Sequence, residues 1–208
     1  MAVITPSDLE SIWLRRLIEK LGVSEEPRIL DCKPDQGAQI NECFPNVEAK
    51  VSTTGGAIVY GWQVWETEHL IEAEFHAVWA SPSGGLLDVT PKAFPCKSIA
   101  FVPDPNTNYV GQQIDNVRIN TSGNALVDDL IKVCEAKFKL ENAGEKADMY
   151  ALSLNDDEAS YWQFLGQMRE NIMILLSKGS TRNQQCFCGA DKYKKCHGRV
   201  LVQLLERL

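Results

Sequence analysis

Leu9, Ile12, Trp13, Leu17 and Ile18 recur at three- and four-residue spacing, the period of a helix that buries one face. Thr5 as N-cap, Pro6 in the first turn and Asp8 closing a short capping box place its start at Thr5, and Gly22 stops it. From residue 57 the pattern turns strand-like. Residues 57–65, 70–79 and 86–90 are rich in β-branched and aromatic side chains, and Ser81-Pro82-Ser83-Gly84-Gly85 between the last two has hairpin chemistry. Pro91 and Pro95 end the sheet, and residues 99–102 add a short edge strand. Helical periodicity returns over 125–142, with Leu126, Leu130, Ile131, Cys134 and Phe138 on one face. It returns again after Asp156-Asp157-Glu158, running to Lys178.

The remaining stretches are irregular. Residues 31–46 are dominated by turn formers, with a short helix expected from Cys43 to about Val51. Residues 104–123 read as loop and 177–185 as a polar linker. The expected fold is α+β: a small antiparallel sheet flanked by helices, with a C-terminal zinc-binding module. The expected division is a body over 1–178, with a core at about 31–103, and a flexible module over 179–208.

Composition narrows the class. The chain has 208 residues, 44% apolar and 24% charged, with a net charge of −7. These values suit a globular protein and argue against a whole-surface nucleic-acid binder, so no sequence-specific DNA binding is expected. No apolar run is long enough to span a bilayer, and residues 1–6 carry no secretory pattern. Seven cysteines, an odd number, make a poor disulfide framework; a reducing cytoplasm is the expected location.

Three of those cysteines crowd the C-terminus. Cys186-x-Cys188, seven residues, then Cys196-His197 supply three thiolates and one imidazole, a full tetrahedral zinc set. Four protein ligands close the coordination sphere, so the site is structural rather than hydrolytic. Residues 182–198, with Arg182-Asn183, Gly189, Tyr193-Lys194 and Cys196-His197-Gly198, resemble the SEC-C motif found at the C-terminus of the SecA translocase. The spacer before Cys196 is one residue shorter than that motif usually has. The resemblance implies zinc binding and contact with a SecB-type chaperone or the ribosome. Over residues 178–199, six basic side chains stand against Asp191 alone, a charge suited to RNA or an acidic protein face.

A second constellation lies in the body. Cys43, His76 and Asp88 supply a thiol, an imidazole to take its proton and a carboxylate to fix the imidazole tautomer. If Ala80 faces Gly84 across a three-residue bend, His76 lies directly opposite Asp88. His76-Ala77-Val78-Trp79 followed by Leu87-Asp88-Val89-Thr90-Pro91 resembles the histidine and aspartate strands of the transglutaminase-like and papain-like cysteine enzymes. That resemblance covers about residues 40–92. It implies a hydrolase or acyltransferase acting on amide or isopeptide bonds of a protein or peptide, with Cys43 as nucleophile, His76 as base and Asp88 as orienter. Gln36 and Gln39 are oxyanion donors by type only.

Simpler roles stand beside these: a buried structural thiol, a satisfied sheet histidine and a turn-capping carboxylate. Trp62, Trp65 and Trp79 suit either a groove or the core. Glu66, Glu68, Glu72 and Glu74 around His69 and His76 suit either a second metal site or a solvated strand face. The rival to an enzyme is a non-catalytic adaptor that binds a protein through the sheet and the zinc module.

Overall fold

The computed structural model describes residues 4–6 and 8–206; the expected reading of residues 1–3 lies outside them. The architecture is α+β, with a mainly antiparallel six-stranded sheet and five α-helices among the described residues. The chain divides into two compact units, one formed by 2–67 with 71–119, the other by 68–70 with 120–208.

In the first unit, α1 spans Ile12–Leu21, and its N-cap is Ser11 rather than Thr5. The Ser11 hydroxyl accepts from Trp13 N at 3.3 Å. The segment before it is extended: Ile4 and Glu66 exchange backbone bonds of 2.9 and 2.8 Å, so Thr5 and Pro6 cannot open a helix. Gly22, at φ +70, closes α1 by donating back to Glu19 and Ile18.

Five strands make the main path: β1 (Arg28–Asp31), β2 (Ala57–Glu66), β3 (Leu70–Ala80), β4 (Leu86–Leu87) and β5 (Ser98–Pro103). Their order is β1-β5-β2-β3-β4, and β6 (Val117–Asn120) pairs with β3 off this path. The two ends of the path then meet. Asp88 N donates to Asp31 O at 3.0 Å, and Lys33 N donates to Asp88 O at 2.8 Å, a parallel bridge between Cys32 and Asp88. The sheet therefore closes on itself. One apolar cluster collects side chains from all five strands: Leu30, Ile99, Phe101, Val59, Val78 and Leu86. The opposite face takes the helices. Leu14 and Leu17 of α1 pack on Trp62, Val64, Ala73 and Phe75. Helix α2 (Cys43–Thr54) packs Cys43 and Val47 on Ala77 and Val89.

The β3–β4 register differs from the expected one. Ala80 faces Leu86 and Trp79 faces Leu87, across a five-residue loop closed by Ser81 N to Gly85 O at 2.8 Å. The shift is two residues, so every side chain keeps its expected face. Helix α2 is longer than expected. Pro45 lies in its first turn, where a missing N–H costs nothing.

In the second unit, α3 (Ala125–Glu141) and α4 (Asp156–Ser177) pack side by side. Asn155 caps α4 through a complete capping box with Glu158, so the acidic cluster does start a helix. The segment read as a linker is tied down: Ser180 O accepts from Asn124 Nδ2 at 2.8 Å. Beyond it lie a short 3-10 helix (Tyr193–Lys195) and α5 (His197–Leu205). Cys186, Tyr193 and Leu201 share one core with Leu130, Val133, Leu165 and Ile172. The C-terminal segment is thus packed into this unit and is not the flexible appendage expected from its polar approach.

Candidate active site and candidate metal centre

After Leu87 the chain leaves β3 and turns to pair with the end of β1. His76 and Asp88 border that split on the same face. His76 Nε2 lies 3.2 Å from Asp88 Oδ1. The contact is diagonal, a separation that long side chains still bridge. The Cys43 thiol, at the head of α2, interacts with the same imidazole. His76 and Asp88 are therefore in contact, and Cys43 lies close enough to add to the electrostatics of the ring.

Further partners hold the carboxylate. Thr90 N donates to Asp88 Oδ1 at 3.0 Å. Lys92 Nζ lies 2.7 Å from Asp88 Oδ2, and the Cys32 thiol donates to Oδ2 at 3.7 Å. Asn46 stitches the helix to this segment: its Nδ2 donates to Thr90 Oγ1 at 3.3 Å and to Gln39 O at 2.8 Å. In the sequence Thr90 stands out only as part of the Asp88-Val89-Thr90 pattern, and Lys92, Cys32 and Asn46 carry no assigned role. The only signal for Lys92 is its position four residues after Asp88, which reads as a surface lysine in a proline-bounded turn.

The electrostatics follow from burial against pairing. Burial of His76 opposes its charged form, but the bonds to Asp88 and then Cys43 outweigh it and hold the pKa at about 9. Burial of Asp88 favours its neutral form; the bond to His76 and the charges of His76 and Lys92 prevail and bring it to about 2. The Cys32 thiol is pushed up, first by burial and then by Asp88, and stays protonated. Two thiols flank this cluster, and Cys32 is the inert one.

The expected oxyanion donors take other roles. Gln39 donates its amide to Gly37 O at 3.0 Å, and Gln36 and Gln39 are both exposed. The head of α2 offers a different pair of donors. The N–H groups of Cys43 and Phe44 precede the first intrahelical bond, and Pro45 has none. Tyr109 stacks on Phe44 at 3.7 Å and 1°, forming an aromatic wall beside the helix head. Trp62 is core, donating to Asp104 Oδ2 at 3.0 Å. Trp65 donates to Glu74 and Trp79 to Gly55 O, so the three tryptophans do not line one groove. The glutamates do not converge on a metal either. Glu72 pairs with Arg118 at 2.7 Å, and Glu68 is exposed.

The C-terminal site is built by a tight reversal. Gln185 and Lys192 pair as an antiparallel bridge, Cys186 N donates to Asp191 O at 2.7 Å, and Gly189 turns the chain at φ +78. This returns Cys196 and His197 to the first two cysteines. Cys186 Sγ lies 3.2 Å from His197 Nδ1, and Cys188 Sγ lies 3.4 Å from Cys196 Sγ. All four ligand atoms fall within 4.8 Å of one another. Four donors on a tetrahedron with metal–sulfur bonds of about 2.3 Å stand about 3.8 Å apart, so the set fits a metal ion. Phe187 packs on the His197 ring at 4.3 Å. Behind the site, Arg182 Nε lies 3.0 Å from the buried Asp129, anchoring the segment to α3.

No family model, curated protein or solved structure gives a significant match to the chain. The class defined by fold and site is therefore an α+β protein with a Cys₃His cluster able to hold a metal ion. No helix among the described residues is long and apolar enough to cross a membrane.

Proposed function

We propose that the unit formed by 4–67 with 71–119 is a cysteine-dependent hydrolase or acyltransferase acting on amide or isopeptide bonds of a protein or peptide. The observation that carries this reading is the buried contact of His76 with Asp88, with the Cys43 thiol at the head of α2 near enough to act on the same ring. In the reaction, the proton of the thiol rests on His76, which keeps its charge up to about pH 9, and the sulfur attacks the carbonyl carbon. The N–H groups at the head of α2 face the developing oxyanion. His76 then gives the proton to the departing amine, leaving a thioester. Water or a second amine attacks the thioester and releases the acyl group. Asp88 keeps Nε2 protonated, so Nδ1 is the nitrogen left to serve the thiol. The test is iodoacetamide labelling at neutral pH. Cys43 should react at least about ten-fold faster than in His76→Ala. Equal rates in the two proteins would reject the enzyme.

The Cys₃His cluster binds zinc in this reading and resembles a SEC-C module. Lys192, Lys194, Lys195 and Arg199 surround it with positive charge and suit a SecB-type chaperone or a ribosomal surface as partner. Seven cysteines, none in a disulfide, suit a reducing cytoplasm. The adaptor reading has the sheet recognise a peptide or protein while this basic, coordinatively closed segment contacts the partner. It predicts partner binding that survives Cys43→Ala.

A further inference from the structure

Lys92 joins three groups of the candidate active site. Its Nζ lies 2.7 Å from Asp88 Oδ2, 2.7 Å from Gln63 Oε1 and 3.4 Å from His76 Nε2. Its side chain is only 10% exposed, a rare state for lysine unless it is paired.

Gln63 shows that the ammonium organises its surroundings. It lies on β2, is 1% exposed, and turns its carbonyl oxygen to Lys92. Its amide Nε2 then has no hydrogen-bond partner among the described residues. An orphaned buried donor is costly. Flipping the amide would aim N–H groups at an ammonium that offers only donors, so the orientation is dictated by Lys92.

We propose that Lys92 is a positioning residue of the Cys43–His76–Asp88 set, acting through Asp88 and His76 without touching substrate. It pins Asp88 Oδ2, which leaves Oδ1 on the imidazole. It also places a positive charge beside Nε2, which eases release of the ring proton to the departing amine. The second effect is needed here because both other neighbours favour the imidazolium. The titratable groups facing the ring are Asp88 and Lys92 from the segment after β4 and Cys43 from α2; Cys32, after β1, faces Asp88. The inference rests on the catalytic reading above for its purpose, but its physical content is measurable without activity.

The experiment is an NMR titration of the His76 ring, one of three histidines in the chain, assigned with His76→Gln. Lys92→Met keeps the stem and removes the charge; Lys92→Arg keeps the charge. In Lys92→Met the His76 midpoint rises by about 0.5 pH unit or more, and Lys92→Arg restores it toward the wild-type value. An unmoved midpoint in a folded Lys92→Met protein overturns the proposal. If Lys92→Met does not fold, Lys92→Gln removes the charge but keeps a polar donor for Asp88; the midpoint then rises in the same direction, and a fixed midpoint overturns the proposal. Iodoacetamide labelling is read separately. Loss of its dependence on His76 rejects the enzyme whatever Lys92→Met does, whereas a fixed His76 midpoint rejects the role of Lys92 alone.

Discussion

His76 Nε2 and Asp88 Oδ1 lie 3.2 Å apart although the two residues are not opposed in the sheet. The ladder pairs Trp79 with Leu87, and extended further it would set His76 against Thr90. The contact forms because β4 leaves β3 and carries Asp88 to the end of β1, while both side chains keep the same face. Parallel pairing with Asp31 and Lys33 thus holds the carboxylate in place.

Removing that carboxylate charge should be costly. Asp88 is fully buried between Lys92 and His76. Asp88→Asn keeps the shape but leaves the ammonium without its anion. Breaking one partner of a buried pair typically costs about 3–5 kcal/mol. Urea unfolding of Asp88→Asn against wild type measures the loss. A change within about 0.5 kcal/mol, the range of an ordinary surface substitution, would show that the pair does not bear on stability.

Stability should also depend on pH through the same pair. His76 is raised from 6.5 to about 9, so its contribution is complete below 6.5 and fades as pH rises through 9. Asp88 is lowered from 3.8 to about 2, so its contribution is complete above 3.8 and fades as pH falls through 2. The pair stabilises most between these windows, in mildly acidic solution. Wild type should therefore lose stability from pH 6.5 to 9 more steeply than His76→Gln. Parallel curves for the two proteins would contradict the ion pair.

The sequence and the structure agree best where the signal is local. Cys186, Cys188, Cys196 and His197 lie within twelve residues, and a thiol-rich turn carries its geometry in its spacing. Face alternation brought His76 and Asp88 together correctly even with the register two residues off, because the strand period is two. The start of α1 was misplaced because Thr5-Pro6 and Ser11 both carry capping chemistry, and only the backbone pairing of Ile4 with Glu66 decides between them. Closure of the sheet through Cys32 and Asp88 left no local trace. Parallel partners more than fifty residues apart share no turn and no periodicity. Lys92 was missed for a related reason: its burial follows from that closure. The packing of Tyr193 and Cys186 against α3 and α4 was hidden by a polar approach segment that looks solvated in one dimension.

That packing predicts how the second unit responds to metal removal. Cys186 is both a candidate ligand and part of the core shared with α3 and α4. Elemental analysis of the purified protein should find one zinc per chain. Chelation should then speed amide exchange in 120–208, because binding energy at such a site is also folding energy. Residues 2–67 and 71–119 form the other unit, and their exchange should change little. Uniform exchange before and after chelation would separate the metal from the fold.

Gly198→Ala tests the site from its far side without touching a ligand. Gly198 follows His197 in the first turn of α5. A Cβ there would stand 2.6 Å from the Tyr193 ring and 2.9 Å from the Tyr193 carbonyl oxygen. Tyr193 cannot swing away, since it is fully buried in the core with α3 and α4. The added methyl must therefore displace α5, and with it the His197 Nδ1 that faces Cys186 and Cys196. Overpacking of this kind costs about 1–3 kcal/mol. The variant should bind zinc more weakly in competition with a chromophoric chelator and should melt at lower temperature. Wild-type affinity together with wild-type melting would mean that α5 is free to move, and that the contact with Tyr193 does not set the position of the histidine ligand.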